Sequence, residues 1–95
     1  MNTCIYSPAA RRDQLELYEY IAQDRPEAAW RFVERLEATC QRLAADREMG
    51  ERVDRIRQDA RIFSVENYVI FYEIVADDIQ VLRIVHGSRD FSLLF

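Results

Sequence analysis

The stretch Arg61-Ile62-Phe63-Ser64-Val65-Glu66-Asn67-Tyr68-Val69-Ile70-Phe71-Tyr72-Glu73-Ile74-Val75-Ala76-Asp77-Asp78-Ile79-Gln80-Val81-Leu82-Arg83-Ile84-Val85 decides the fold. It is dense in β-branched and aromatic residues, which fit a pleated surface, and it is broken twice by turn-forming pairs. Asn67-Tyr68 separates a run from Arg61 to Glu66 from a second run, Val69 to Ala76. Asp77-Asp78 separates that from a third, Ile79 to Val85. Connections this short leave no room for a crossover, so the three runs are predicted to form an antiparallel meander. In its middle strand Tyr68, Ile70, Tyr72 and Ile74 share one face, and Val69, Phe71, Glu73 and Val75 the other. The first is expected to lie toward the helices, and the second is too apolar for open water. The second face is predicted to be a trough that either receives a partner or is filled by the tail Phe91-Ser92-Leu93-Leu94-Phe95.

Towards the N-terminus the period changes from 2 to 3.6. Helix two carries Ala29, Phe32, Val33, Leu36, Cys40 and Leu43 on one face, with a Glu27–Arg31 pair at i,i+4 on the other. Helix one runs from Ser7-Pro8, a capping hydroxyl followed by a proline suited to the first helical position, to about Asp24. Its stripe is Ala10, Leu17, Tyr18 and Ile21. Gln14 stands in that stripe where a leucine would fit, either as a packing defect or as a polar contact. Asp24-Arg25-Pro26-Glu27 ends one helix and opens the next, with Asp24 as the expected cap. Residues 4–7 read as a short first strand, and 51–59 as a polar, arginine-rich connection. The expected fold class is therefore α+β: a short N-terminal strand, a helical hairpin, then a three-stranded antiparallel meander (β-α-α-β-β-β). At 95 residues, about half of them apolar, residues 1–95 are expected to form a single domain.

Composition narrows the function classes. All 13 basic residues are arginine, against 17 acidic ones, for a net charge of −4. Residues 1–51 hold 7 Arg against 10 Asp/Glu and residues 52–95 hold 6 against 7, so neither half is a basic module. Direct nucleic-acid binding through phosphate neutralisation is disfavoured by such a field. No apolar run reaches membrane-spanning length and the first residues do not read as a signal peptide, so a cytoplasmic protein without membrane contact is expected. Cys4, Cys40 and the lone histidine, His86, lack metal-ligand spacing, and the cysteines read as reduced, buried thiols. No metal or cofactor is expected.

Phosphate-loop and nucleophile–histidine motifs are absent. The chemistry-bearing groups gather at the end of the last strand, in His86-Gly87-Ser88-Arg89-Asp90, with Arg83 just before and Arg61 on a neighbouring strand. Gly87 is expected to allow a positive-φ turn, and Arg89-Asp90 can form a local ion pair. Arg61 and Arg83 can lay their stems on the sheet with their guanidinium groups in solvent. Trp30, one residue off the helix-two stripe, is a packing or interface residue.

These segments, taken in order, resemble the RelE/ParE superfamily of bacterial toxins, most closely its ParE branch. The resemblance rests on Ser7-Pro8-Ala9-Ala10, Tyr20-Ile21-Ala22, Pro26 with Ala29 and Phe32, and Leu43 before Gly50. It rests most specifically on Arg61 to Val65, Asn67 to Tyr72, and Val81 to Asp90. It implies a toxin neutralised by a ParD-like antitoxin, whose C-terminal segment wraps the toxin while its ribbon-helix-helix part binds operator DNA. ParE-like members poison DNA gyrase, whereas RelE-like members cut messenger RNA on the ribosome with lysine and arginine on the sheet and a tyrosine or histidine near the C-terminus. This chain has no lysine, carries Val69 where RelE-like nucleases have arginine, and lacks a tyrosine in its tail; only Arg89 matches a catalytic position. A nuclease without several preorganised groups would be slow by orders of magnitude. The expected role is gyrase inhibition by binding, with no catalytic residues; the alternatives are a ribosome-dependent nuclease and a non-toxic antitoxin-binding module. The expected target surface is Arg83, His86, Arg89, Asp90 and Phe95. The expected antitoxin surface is Val69, Phe71, Val75, Trp30 and Arg61 with the outer face of the hairpin.

Overall fold

The Ser7 hydroxyl both starts a helix and ties it to the sheet. In the computed structural model, which describes residues 2–95, its oxygen accepts the Ala10 N–H at 3.0 Å and donates to the Leu82 carbonyl at 2.9 Å. Pro8 then opens helix α1 (Pro8–Ala22), which follows strand β1 (Cys4–Tyr6). Helix α2 (Pro26–Ala45) returns along α1. Its cap position is held by Arg25, with no side-chain capping bond. The expected Asp24 cap is therefore corrected: α1 already ends at Ala22, and α2 starts at Pro26, with its preset φ, and carries Glu27 in its first turn.

Next come β2 (Glu51–Arg52), β3 (Ala60–Val65), β4 (Tyr68–Val75) and β5 (Asp78–His86), then a 3-10 turn, Phe91–Leu93. The sheet order is β1-β5-β4-β3-β2. The meander stands at its centre, extended by β1 parallel to β5 on one edge and by the two-residue β2 antiparallel to β3 on the other. The loops are shifted by one residue from the expected turns, to Glu66-Asn67 and Ala76-Asp77, and the first residue of each has a left-handed φ, 54° and 56°.

The two faces of β4 divide the core as the alternation predicted. Ile70 and Tyr72 join Leu17, Phe32, Leu36, Cys40, Leu43, Ile79, Val81 and Ile84 beneath the helices. Each fully buried aliphatic side chain there contributes about 1.5–3 kcal/mol. Val69 and Phe71 form a second cluster with Val53, Ala60, Leu82, Val85 and Leu94. Between Phe71 and Tyr72 the register with β5 slips, pairing Phe71 with Arg83 but Tyr72 with Val81. The extra residue, Leu82, joins the second cluster.

Of the two expected fates of the second face, an open trough and filling by the tail, the structure shows the second. Phe71 is 0% exposed and Val69 is 7% exposed, because the tail folds back over them. Phe91 and Phe95 stack edge-on against Phe71 at 5.0 and 5.7 Å between ring centroids, and Leu94 is buried beside them. The tail thereby takes Phe71, Val69 and Leu94 out of water, while Phe91 is half-buried and Phe95 stays 45% exposed. Of the apolar second-face residues of β4, Val75 at its far end is exposed, as is the neighbouring Ile74.

Candidate binding surfaces at the hairpin bend and the sheet end

Asp13 was not singled out by sequence, yet it organises one side of the molecule. One turn into α1, its carboxylate accepts the Ile84 N–H at 2.9 Å and holds the Arg83 guanidinium through two bonds, at 2.7 and 2.9 Å. β1 pairs with β5 only as far as Val81. Ser7 and Asp13 take over the backbone groups of β5 beyond that point, so the strand edge is closed by side chains. Arg83 is thereby committed to α1, its charged form further favoured by the Asp13 hydrogen bond, and its guanidinium is not a free surface group.

The expected solvent-facing role of Arg61 is corrected in the same way. Its guanidinium donates to the Gly50 and Glu48 carbonyls at 2.8 and 3.1 Å, pinning the loop between α2 and β2. Gly50 itself is required by a close approach, since a Cβ there would sit 2.5 Å from the Tyr72 hydroxyl. That hydroxyl accepts the Gly50 N–H and donates to the Arg47 carbonyl.

At the end of β5 the segment His86 to Asp90 is exposed. The His86 Nδ1 accepts the Ser88 N–H at 3.1 Å and lies 2.8 Å from the Ser88 hydroxyl. Gly87 does not take the expected positive φ; its N–H donates to the Asn67 carbonyl at 2.7 Å, closing the β5 end against the β3–β4 turn. Asp90 caps the 3-10 turn through the Ser92 N–H and hydroxyl, which lowers its pKa, so its carboxylate serves the tail and not Arg89. The five residues expected to form the target surface therefore divide. His86, Arg89 and Asp90 stay on one exposed loop, Arg83 is bound to Asp13, and Phe95 lies on the opposite sheet face against Phe71 and Arg57.

His86 is also the wall between two depressions. The smaller, about 190 Å³, lies between α1 and β5 and includes Glu16 and Arg89. The larger, about 390 Å³, opens where the helical hairpin bends over the β3–β4 turn. An aromatic series runs along it: Phe32 to Tyr68 at 5.3 Å and Tyr68 to His86 at 5.3 Å between centroids, the latter edge-on. Burial pushes the Tyr68 phenol up from its ordinary pKa. Tyr20, 71% exposed, stands at the rim with Arg25, Arg31 and Arg35, and Arg35 is ion-paired to Glu66. Trp30, 59% exposed, lies on the same helix as the two latter arginines. An apolar, aromatic floor under a cationic rim suits an amphipathic peptide with acidic side chains. The signal for this groove was present in the sequence as arginines at 25, 31 and 35 around Phe32, with the like-charged pair Arg31/Arg35 at i,i+4.

A family model described as ParE toxin of type II toxin-antitoxin system, parDE, matches residues 4–91. Toxin RelE3 of Caulobacter vibrioides is 26% identical over 88 residues, which span 92% of this chain and 96% of that protein. A solved chain from the chromosomal ParDE TA system from P. aeruginosa shares the fold, with a TM-score of 0.77 at 19% identity over 88% of this chain and 94% of that one.

Proposed function

The chain belongs to the ParE family of toxins from type II toxin-antitoxin systems, and from that premise we propose that it acts by binding DNA gyrase and is neutralised by a ParD-like antitoxin. The observation that carries this reading is the filled second face of the sheet. RNA cleavage through a 2′-hydroxyl needs a base, an acid and cations converging on one phosphate. Here that face is an apolar cluster sealed by Leu94, Phe91 and Phe95, while Arg83 and Arg61 are occupied by Asp13 and by backbone carbonyls. The exposed loop His86, Arg89 and Asp90 is the surface offered to the target.

The antitoxin segment is assigned to the groove at the hairpin bend and continues onto the Trp30 side of α2, in place of the covered Val69 and Phe71. Reversing charge with Arg31→Glu and Arg35→Glu, or removing the exposed ring with Tyr20→Ala, should weaken antitoxin binding by about 10-fold or more, since groove-lining arginines and aromatics dominate such interfaces.

The test is DNA supercoiling by purified gyrase with the purified chain added. Loss of supercoiling or accumulation of cleaved DNA, relieved by the antitoxin, is expected. Unchanged supercoiling at stoichiometric excess over gyrase refutes the reading. A second reading, ribosome-dependent message cleavage, is favoured by the likeness to a protein named RelE3. In a translation assay it requires cut messages that disappear with Arg89→Ala.

A further inference from the structure

The loop at the end of β5 also brings a hydroxyl to a base. Ser88 is exposed, and its Oγ lies 2.8 Å from the His86 Nδ1. The Ser88 backbone N–H donates to the same nitrogen at 3.1 Å, so Nδ1 presents its lone pair to Ser88 and the ring proton sits on Nε2. The Tyr68 ring meets the imidazole edge-on, with centroids 5.3 Å apart, and sets the plane of the ring. The Gly87 N–H donates to the Asn67 carbonyl at 2.7 Å and the Arg89 N–H to the His86 carbonyl at 3.0 Å, closing the turn that carries Ser88 back to the ring. The Arg89 side chain is exposed and, among the described residues, has no ion-pair partner. His86 and Arg89, on either side of Ser88 in the chain, line the depression of about 190 Å³ whose walls include Leu17, Tyr68, Ile84 and Val85.

We propose that Ser88 is a nucleophile, activated by His86, that accepts a short acyl group from an activated ester or thioester. The hydroxyl and the unprotonated ring nitrogen stand at the distance a nucleophile and its base require, with the base held in place by a third group, Tyr68. The ligand class follows from the depression beside them. Its walls are apolar and aromatic, and Asp13 and Glu16 on the α1 side repel an anion, so an uncharged acyl chain suits it and a phosphate does not.

The step conserves atoms and charge. The Ser88 Oγ attacks the carbonyl carbon and forms a C–O bond while its proton passes to the His86 Nδ1. The negative charge that develops on the carbonyl oxygen is met by the Arg89 guanidinium. The tetrahedral intermediate then collapses: the bond to the leaving oxygen or sulfur breaks, and the leaving group takes the proton from Nδ1. One ester or thioester and one serine give an acyl-serine and one alcohol or thiol, with His86 returned to its starting state. Neither gyrase nor antitoxin takes part, so the step stands or falls apart from the binding role.

The test incubates the full chain, without partners, with p-nitrophenyl acetate and follows acetylated peptides by mass spectrometry over time; the chain has no lysine, so side-chain amines do not compete. Ser88 is expected to be acetylated at least about tenfold faster than Ser64 and Ser92, two exposed serines with no histidine contact among the described residues. His86→Gln should remove that preference while the circular dichroism stays native, and Ser88→Ala should abolish the acetyl group on this loop. In wild-type chain unfolded in urea the preference should also disappear, because the fold holds the hydroxyl against the ring; this comparison needs no variant. Equal acetylation of Ser88 and Ser64 in the folded chain, acetyl groups confined to His86 or the tyrosines, or a Ser88 rate unchanged by His86→Gln or by urea would overturn the proposal.

Discussion

Replacing Asp13 by alanine should be among the most damaging single changes available in α1. The Asp13 side chain is 8% exposed and that of Arg83 is 20% exposed. Breaking a well-buried pair by removing one partner costs about 3–5 kcal/mol; with a fifth of Arg83 still reaching water, about 2–3 kcal/mol is the appropriate share. The Ile84 N–H, left buried without its acceptor, adds roughly 1 kcal/mol or more. The expected loss is about 3–4 kcal/mol, a large fraction of the 5–15 kcal/mol typical of a whole domain. Asp13→Asn keeps an oxygen for Ile84 but cannot match the guanidinium fork, so it should fall between wild type and alanine. Adding Arg83→Met to Asp13→Ala removes the stranded charge and should restore about half of the loss. Urea unfolding with an unchanged m-value measures all four proteins. An Asp13→Ala loss below about 1 kcal/mol, or a double variant no more stable than Asp13→Ala, refutes the reasoning.

Gln14 is buried in α1 and, among the described residues, its amide nitrogen has no hydrogen-bond partner, so Gln14→Met should raise stability by about 1 kcal/mol in the same urea assay. Gly50→Ala should cost about 1–3 kcal/mol, because the added methyl meets the Tyr72 ring and the Ile62 carbonyl, and it should shift the near-ultraviolet tyrosine signal. Ala76→Gly should stabilise by roughly 0.5–1 kcal/mol by relieving a left-handed φ of 56° at an exposed turn, measured by thermal melting. The Asp54 carboxyl, hydrogen-bonded by Arg52 and by the Asp59 N–H, is held down to about 2. A depressed carboxylate contributes stability above its unfolded pKa of about 4 and loses it as pH falls towards 2, so Asp54→Asn should flatten the acid limb of the stability profile in that window.

What was legible in the sequence was what local chemistry determines. Ser7 and Pro8 start a helix by groups within four residues of each other, and the alternation around Phe71 assigns both faces of β4 before any partner is known. What was not legible depends on distant partners. Glu51-Arg52 becomes a strand only because Ile62 and Arg61 lie alongside, and nothing near Arg83 in sequence announces that Asp13 will claim it. The fate of the second sheet face hinged on the tail, whose apolar residues could equally have met a partner. Gly87 misled for a related reason: its expected φ was inferred from residue type, whereas the backbone bond to Asn67 holds it in ordinary geometry. Of the candidate site, the His86-Arg89-Asp90 loop was readable. Of the groove at the hairpin bend only the arginines around Phe32 were visible in the sequence; the cavity itself was not, because it needs α1, α2 and the β3–β4 turn together.

The parallel pairing of β1 with β5 joins Ile5 to Gln80, the first strand of the chain to the last. At about 5–20 residues per second of synthesis, roughly 4–15 s separate the emergence of these two partners. During that interval the hairpin has no sheet to cover Leu17, Leu36 and Leu43, and loop closure over such a span is slow to be rewarded. The five-stranded sheet is therefore complete only once β5 has been made. Chains interrupted before residue 78 lack β5, and with it the surface on which both helices and the edge strand are assembled.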